Sequence, residues 1–162
     1  MKINLVRIGM EDAENLWKMQ VRAFRELYDR YQDTETSPAV EKIDKTIMRL
    51  NQSFTYYYFI EADHTVVGAI RVIDKHKKDI PKRISPMFVL PEYRNKGYAQ
   101  KAMQLAEEKH GSTNWELDTI LQEKGNCHLY EKMGYHQTGK TKVINERMTL
   151  IFYKKDSCLD NK

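Results

Sequence analysis

Residues 84–111 read ISPMFVLPEYRNKGYAQKAMQLAEEKHG, a strand, a short basic turn and a helix in that order. The apolar run 84–90 favours extended chain and runs into Pro91. From Tyr98 onward, Ala99, Ala102, Met103 and Ala106 recur at helical spacing, and Gly111 supplies a stop. Between strand and helix lies Arg94-Asn95-Lys96-Gly97. The first N–H groups of a helix have no partner inside it, and the helix dipole adds positive potential at that end. Gly97 brings no Cβ, Arg94 and Lys96 add positive charge, and the small Ala99 keeps the next turn clear. Together these features make an anion site.

Working outward, the flanking chain supplies a sheet and its covering helices. Residues 2–8 read as a short strand, and a helix follows from about Met10, with Glu11 and Asp12 in its first turn. Ala13, Leu16, Trp17, Phe24, Leu27, Tyr28 and Tyr31 trace its apolar face. The break at residues 33–40 ends in Ser37-Pro38, which reads as an N-cap and first helical position, with Val40, Ile43, Ile47 and Leu50 inward. Residues 53–62 and 65–73 form a hairpin about Asp63-His64, and residues 75–83 a basic loop. Downstream come a strand over 114–121, a short helix over 124–133 and two strands that break near Asn145-Glu146. The order β-α-α-β-β-β-α-β-α-β-β is that of a mixed α/β sheet in one domain, residues 1–155, with a tail at 156–162.

Composition narrows the class. The chain has 162 residues, 41% of them hydrophobic and 31% charged, with a net charge of +4. That supports a real core and suits an anionic ligand, without marking a nucleic-acid binder. No apolar run reaches the length of a membrane helix, and the N-terminus has no apolar leader before Glu11, so a cytoplasmic protein is expected. Cys127 and Cys158 read as reduced thiols, and the five histidines show no metal-ligand spacing, so no metal is expected.

Two segments carry a family resemblance. RNKGYA, residues 94–99, resembles the RxxGx(G/A) pyrophosphate loop of the GNAT superfamily of acyl-CoA-dependent N-acetyltransferases. NCHLYEKMGY, residues 126–135, is similar to that superfamily's late helix, and the two lie one helix and one strand apart, as the superfamily requires. The resemblance implies a mostly antiparallel sheet of about seven strands, flanked by about four helices. Its fourth and fifth strands splay apart to hold the pantetheine arm of acetyl-CoA. Here the fourth strand is 84–90, with Ser85-Pro86 near the expected bulge. Backbone groups of Met87, Phe88 and Val89 would pair with the arm. Arg94, Asn95, Lys96, Gly97, Tyr98 and Ala99 would cradle the pyrophosphate, chiefly through main-chain N–H groups from Asn95 to Ala99. Tyr130 would stand beside the sulfur, with Asn126 in the same groove. Many members carry Asn seven positions before that tyrosine and Ala four before it; this chain has Glu123 and Asn126 there.

The chemistry then follows. A neutral amine attacks the thioester carbon, a backbone N–H near Phe88–Val89 meets the oxyanion, and Tyr130 returns a proton to the leaving thiolate. The implied acceptor is an amine of a small molecule or a protein, and a homodimer is compatible with the resemblance. Glu116, Asp118 and Glu61 are candidates for the base, which stays unassigned. Tyr28, Tyr31 and Tyr56-Tyr57-Tyr58 are candidates for the acceptor pocket. The competing reading is an acyl-CoA-binding regulatory module without turnover; the RNKGYA loop and Tyr130 together favour the enzyme.

One motif points elsewhere. Residues 134–141, GYHQTGKT, satisfy the P-loop spacing GxxxxGK[ST]. A P-loop needs a strand before it and a helix after it. Here helical LYEKM precedes, and strand-like VINERMTLIFYKK follows, so a nucleotide hydrolase is set aside.

Overall fold

Alternation along the central hairpin sorts its side chains onto two faces, and helices cover both. The computed structural model describes residues 2–156. The strands are β1 (Ile3–Arg7), β2 (Thr55–Ala62), β3 (Thr65–Ile73), β4 (Lys82–Val89), β5 (Trp115–Ile120), β6 (His136–Asn145) and β7 (Met148–Lys155). The helices are α1 (Ala13–Tyr31), α2 (Ile43–Leu50), α3 (Tyr98–His110) and α4 (Lys124–Lys132). The sheet runs β1-β2-β3-β4-β5-β7-β6, antiparallel throughout except at β4–β5. On one face Tyr57, Phe59, Ala69 and Phe88 pack under Leu16, Ala23 and Phe24 of α1 and Leu50 of α2. On the other, Ile60, Ile70 and Val72 pack under Ala102, Met103 and Ala106 of α3, with Trp115, Leu117 and Cys127 of α4 alongside. Burying a side chain of the size of Leu16 or Ile60 contributes about 1.5–3 kcal/mol.

The second helix differs from its expected form. Ser37 does cap, its hydroxyl accepting from the Ala39 amide at 3.2 Å, but the turn it starts is a single 3-10 turn, Pro38–Val40. Glu41 is extended at φ −71°, ψ 143°, and α2 begins only at Ile43. Tertiary contacts hold the break. The Glu41 carbonyl accepts from Trp17 Nε1 at 2.8 Å, and its carboxylate pairs with Arg49 at 2.9 Å and accepts from buried Gln20 at 2.9 Å.

Strand β4 is irregular along one edge and unpaired along much of the other. Opposite Arg71 the register slips, so that Ile70 faces Met87 while Val72 faces Ile84; the extra residue falls at Ser85-Pro86, and Arg71 Nη1 donates to the Ser85 carbonyl at 2.8 Å. On the opposite edge β4 parts from β5. They pair only at Lys82 opposite Trp115 and Arg83 opposite Glu116, and beyond that the strands diverge. Gly68 of β3 lets β4 come close on the β3 side, since a Cβ there would sit 2.1 Å from the Phe88 carbonyl oxygen.

The GKT segment lies on β6, an exposed edge strand, with Gly139 at φ 92° and no helix after it. No helix among the described residues is long and apolar enough to cross a membrane. The tail beyond Asp156, with Cys158, lies outside the described residues.

Candidate active site

Where β4 and β5 part, a cavity of about 450 Å³ opens. One wall is β4 and the turn after it, with Met87, Phe88, Val89, Arg94 and Asn95. The first turn of α3 adds Gly97, Tyr98, Ala99 and Gln100, and α4 faces them with Glu123, Asn126, Leu129 and Tyr130. Helix α1 closes the side with Ala23, Phe24, Glu26, Leu27 and Arg30. The structure thus brings every residue named for the cofactor, and Tyr130, into one cavity, except Lys96, which is exposed and outside the lining.

Strand alternation decides which backbone groups of β4 face the gap. The Leu90 amide donates to the Val67 carbonyl of β3 at 2.8 Å. In an antiparallel pair the facing direction alternates along the strand. Phe88 therefore turns its backbone toward β3, while Met87 and Val89 turn theirs toward the open side. The backbone role assigned to Phe88 from sequence is thus available only at its neighbours. Its ring packs edge-on to Phe24 of α1 at 5.8 Å.

The loop from strand to helix bends through two residues in the left-handed region, Asn95 at φ 62° and Gly97 at φ 82°. Such alternation gathers successive N–H groups around a concavity that suits an anion. The helix ladder starts one turn later, with the Lys101 amide on the Gly97 carbonyl at 3.1 Å. A Cβ built on Gly97 meets nothing within 4 Å, so it is the backbone angle that asks for glycine in the folded chain. Arg94 is not a free cation. Its Nε donates to the Val89 carbonyl at 3.0 Å, its Nη2 to the Ala23 carbonyl at 2.6 Å, and its Nη1 pairs with Glu26 at 3.1 Å. It braces the loop against β4 and α1.

On the facing wall, Tyr130 is half-buried, its ring 6.2 Å from those of Tyr135 and Tyr153. Burial, with smaller contributions from the Asp118 carboxylate and Cys127, pushes its hydroxyl up to about 12. It therefore carries its proton throughout the neutral range. The carboxylates considered for the base lie elsewhere. Glu116 and Asp118 share one face of β5 and both pair with Arg83, Glu116 at 3.4 Å. Glu61 sits opposite Asn4 near the other edge of the sheet. None of these three lines the cavity.

The tyrosines considered for an acceptor pocket are also outside it. Tyr57 is in the core, and Tyr58 meets His110 Nε2 at 2.9 Å. The His110 ring in turn meets Asp74 Oδ2 at 2.8 Å through Nδ1. Tyr31 reaches Glu123, the residue at the family's usual Asn position, at 2.5 Å. Sequence offers Tyr28 and Tyr31 of α1 as pocket residues, whereas the helix lines the cavity with Glu26 and Arg30, which look in sequence like ordinary solvated charges. No group of three or more His, Cys, Asp or Glu among the described residues is placed to hold a metal ion.

Known proteins match this fold. A family model, the acetyltransferase (GNAT) family, matches residues 14–135. No curated protein matches the sequence. Among solved structures, spermidine N-acetyltransferase from Vibrio cholerae, in complex with CoA and spermine, superimposes with a TM-score of 0.74 at 16% identity, covering 96% of this chain and 95% of that one. The microcin C7 self-immunity acetyltransferase MccE, with acetyl-CoA and AMP, gives 0.71 at 14% identity, with 96% and 92% covered. The ribosomal-protein-S18-alanine N-acetyltransferase from Escherichia coli gives 0.70 at 10% identity, with 96% and 94% covered. These likenesses are of overall fold, and with the family match over most of the chain they close the question of kind: the chain belongs to the acetyltransferase (GNAT) family, the acyl-CoA-dependent N-acetyltransferases.

Proposed function

We propose that this enzyme moves an acetyl group from acetyl-CoA directly to a primary amine of a small molecule or protein, with both substrates bound together. The observation that carries the reading is the single cavity that joins the Gly97 loop, the open edge of β4 and Tyr130. Its size lies in the usual range for ligand sites. Acetyl-CoA supplies the activated acyl group and a good leaving thiolate; the rest falls to the chain.

Main-chain N–H groups from Asn95 to Ala99 hold the pyrophosphate at the positive end of α3. Met87 and Val89 offer strand-like partners to the pantetheine amides, because their backbones face the gap. An N–H of that open edge also serves the oxyanion. Asn126, one turn before Tyr130 on α4, reaches the same groove. Tyr130, protonated at neutral pH, delivers a proton to the departing sulfur and is reprotonated, directly or through water, by the proton that the amine nitrogen gives up on becoming an amide. Holding amine and thioester in one cavity supplies much of the rate by orientation. The acceptor enters beside α1, the wall to which no cofactor contact is assigned.

The test is a panel of polyamines, amino acids, aminoglycosides and N-terminal peptides, each incubated with enzyme and acetyl-CoA while thiol release is followed. Release that needs both acetyl-CoA and a particular amine is the expected result. Binding of acetyl-CoA with no release above slow hydrolysis across the panel would favour a non-catalytic module.

A further inference from the structure

The β4 wall and the α4 wall of the cavity follow strands with almost no hydrogen bonds between them, since β4 and β5, the strand that leads into α4, pair only at their first two residues. Something else must set the gap. A continuous series of polar contacts runs from one wall to the other by way of α1. It starts at the Val89 carbonyl of β4, which accepts from Arg94 Nε at 3.0 Å. Arg94 Nη1 pairs with Glu26 Oε1 at 3.1 Å, and Glu26 Oε2 pairs with Arg30 Nη2 at 3.4 Å. Arg30 Nη1 then pairs with Glu123 Oε2 at 2.6 Å, and the Tyr31 hydroxyl holds the same oxygen at 2.5 Å.

Glu123 is the N-cap residue of α4, the helix that carries Asn126 and Tyr130. An acidic N-cap usually folds back on its own helix amides. This one makes no side-chain cap bond and reaches to α1 instead. Residues 26 and 30 are one helical turn apart, so α1 presents Glu26 and Arg30 on a single stripe along the cavity.

We propose that this ladder sets the width of the splay: Arg30, backed by Tyr31, is a positioning residue that acts through Glu123 to hold the α4 wall at working distance from β4. The inference rests on the acyl-CoA reading of the cavity. It gives the glutamate at position 123 a task that a neutral asparagine would not perform, because only a carboxylate adds an opposite charge to its hydrogen bond with the Arg30 guanidinium. The acyl-CoA arm fits a gap whose walls are pre-spaced, so cutting the ladder makes the walls looser and the cofactor weaker-bound.

The experiment is calorimetric titration of acetyl-CoA into wild type, Arg30→Ala, Glu123→Gln, the double variant and Tyr31→Phe at low and high salt, with circular dichroism to check folding. Tyr31→Phe removes only a hydroxyl and keeps the test available if a charge variant folds poorly. Each single charge variant is expected to bind about three- to fivefold more weakly at low salt, the upper part of the range for a partly exposed ion pair. Tyr31→Phe is expected to weaken binding in the same direction. The double variant should bind no more weakly than the worse single one, because both cut one path. The difference from wild type should shrink at high salt. Wild-type affinity in all folded variants would overturn the ladder. Independent, additive losses would also overturn it, assigning Glu123 a direct contact with the cofactor. No binding by the wild type would overturn the acyl-CoA reading and this inference with it.

Discussion

Replacing Gly97 by valine, alanine and asparagine separates two demands on one position. The first is conformational. Gly97 sits at φ 82°, which costs an L-residue about 1–2 kcal/mol, more for a β-branched one and little for asparagine. For a chain of this size each kcal/mol lowers Tm by about 2–4 °C, so alanine should lower it by about 2–8 °C, valine by more and asparagine by little. The second demand belongs to the ligand. In the protein alone a Cβ at Gly97 meets nothing within 4 Å, so any side chain is accommodated until phosphate approaches the backbone. Valine should then weaken acetyl-CoA binding by about tenfold or more, roughly 1.4 kcal/mol. Asparagine should do likewise while leaving the melting temperature near wild type. Melting curves and calorimetric titration of the same preparations read the two effects apart. A Gly97→Asn protein with wild-type stability and wild-type acetyl-CoA affinity would refute the reasoning, and so would a folded Gly97→Val protein with an unchanged Kd. In either case the glycine serves only the turn.

Three further outcomes rest on the same geometry. Arg94→Ala removes a brace rather than a phosphate contact, so it should lower Tm while weakening acetyl-CoA less than Gly97→Val does; the reverse order, by melting and titration, counts against the main-chain cradle. Lys140→Ala should leave acetyl-CoA affinity unchanged, and ATP with magnesium should give no binding heat, because the GKT segment lies on an exposed strand. Stability should fall with acid through the buried His110–Asp74 pair: burial, offset in part by the Asp74 hydrogen bond, holds His110 below its usual range. The unfolded chain therefore binds the proton first, and stability present above about pH 6.5 is lost as pH drops below it. Asp74 adds to this below about pH 4, since contacts from His110 and the His76 amide outweigh the burial that would raise it. A Tm unchanged between neutral pH and pH 5.5 would contradict the His110 assignment.

Much of this site could be read from local sequence. The order strand, RNKGYA, helix puts Gly97 at the N-cap of α3, because a glycine with free backbone angles beside a basic turn has few other uses. LYEKMGY marks α4 by periodicity and by the Gly134 stop. Contacts between distant segments were harder to see. Arg94 looks like a phosphate ligand when its neighbours are Asn95 and Lys96; only the fold brings Ala23 and Glu26 to it. Lys82 and Arg83 look like part of a basic loop, yet they form the only pairing of β4 with β5 among the described residues, opposite Trp115 and Glu116, which lie more than thirty positions later. Glu123 shows in sequence only as a departure from the family's usual residue, and its partners lie on α1, more than ninety positions earlier. The break before α2 is likewise set by Trp17, Gln20 and Arg49 meeting Glu41, which no propensity at Ser37-Pro38 reports.

The most direct measurement is single-turnover acetyl transfer, by rapid quench, in wild type and Tyr130→Phe with saturating acetyl-CoA and an amine that wild type accepts. The variant deletes one oxygen and keeps the ring against Tyr135 and Tyr153, so it should fold and bind acetyl-CoA as wild type does. Its transfer rate is predicted to be lower by about 10²-fold or more, because the hydroxyl acts on charge that develops at sulfur only in the transition state. Equal single-turnover rates in the two proteins, at equal acetyl-CoA affinity, would contradict the assignment of Tyr130 as the acid.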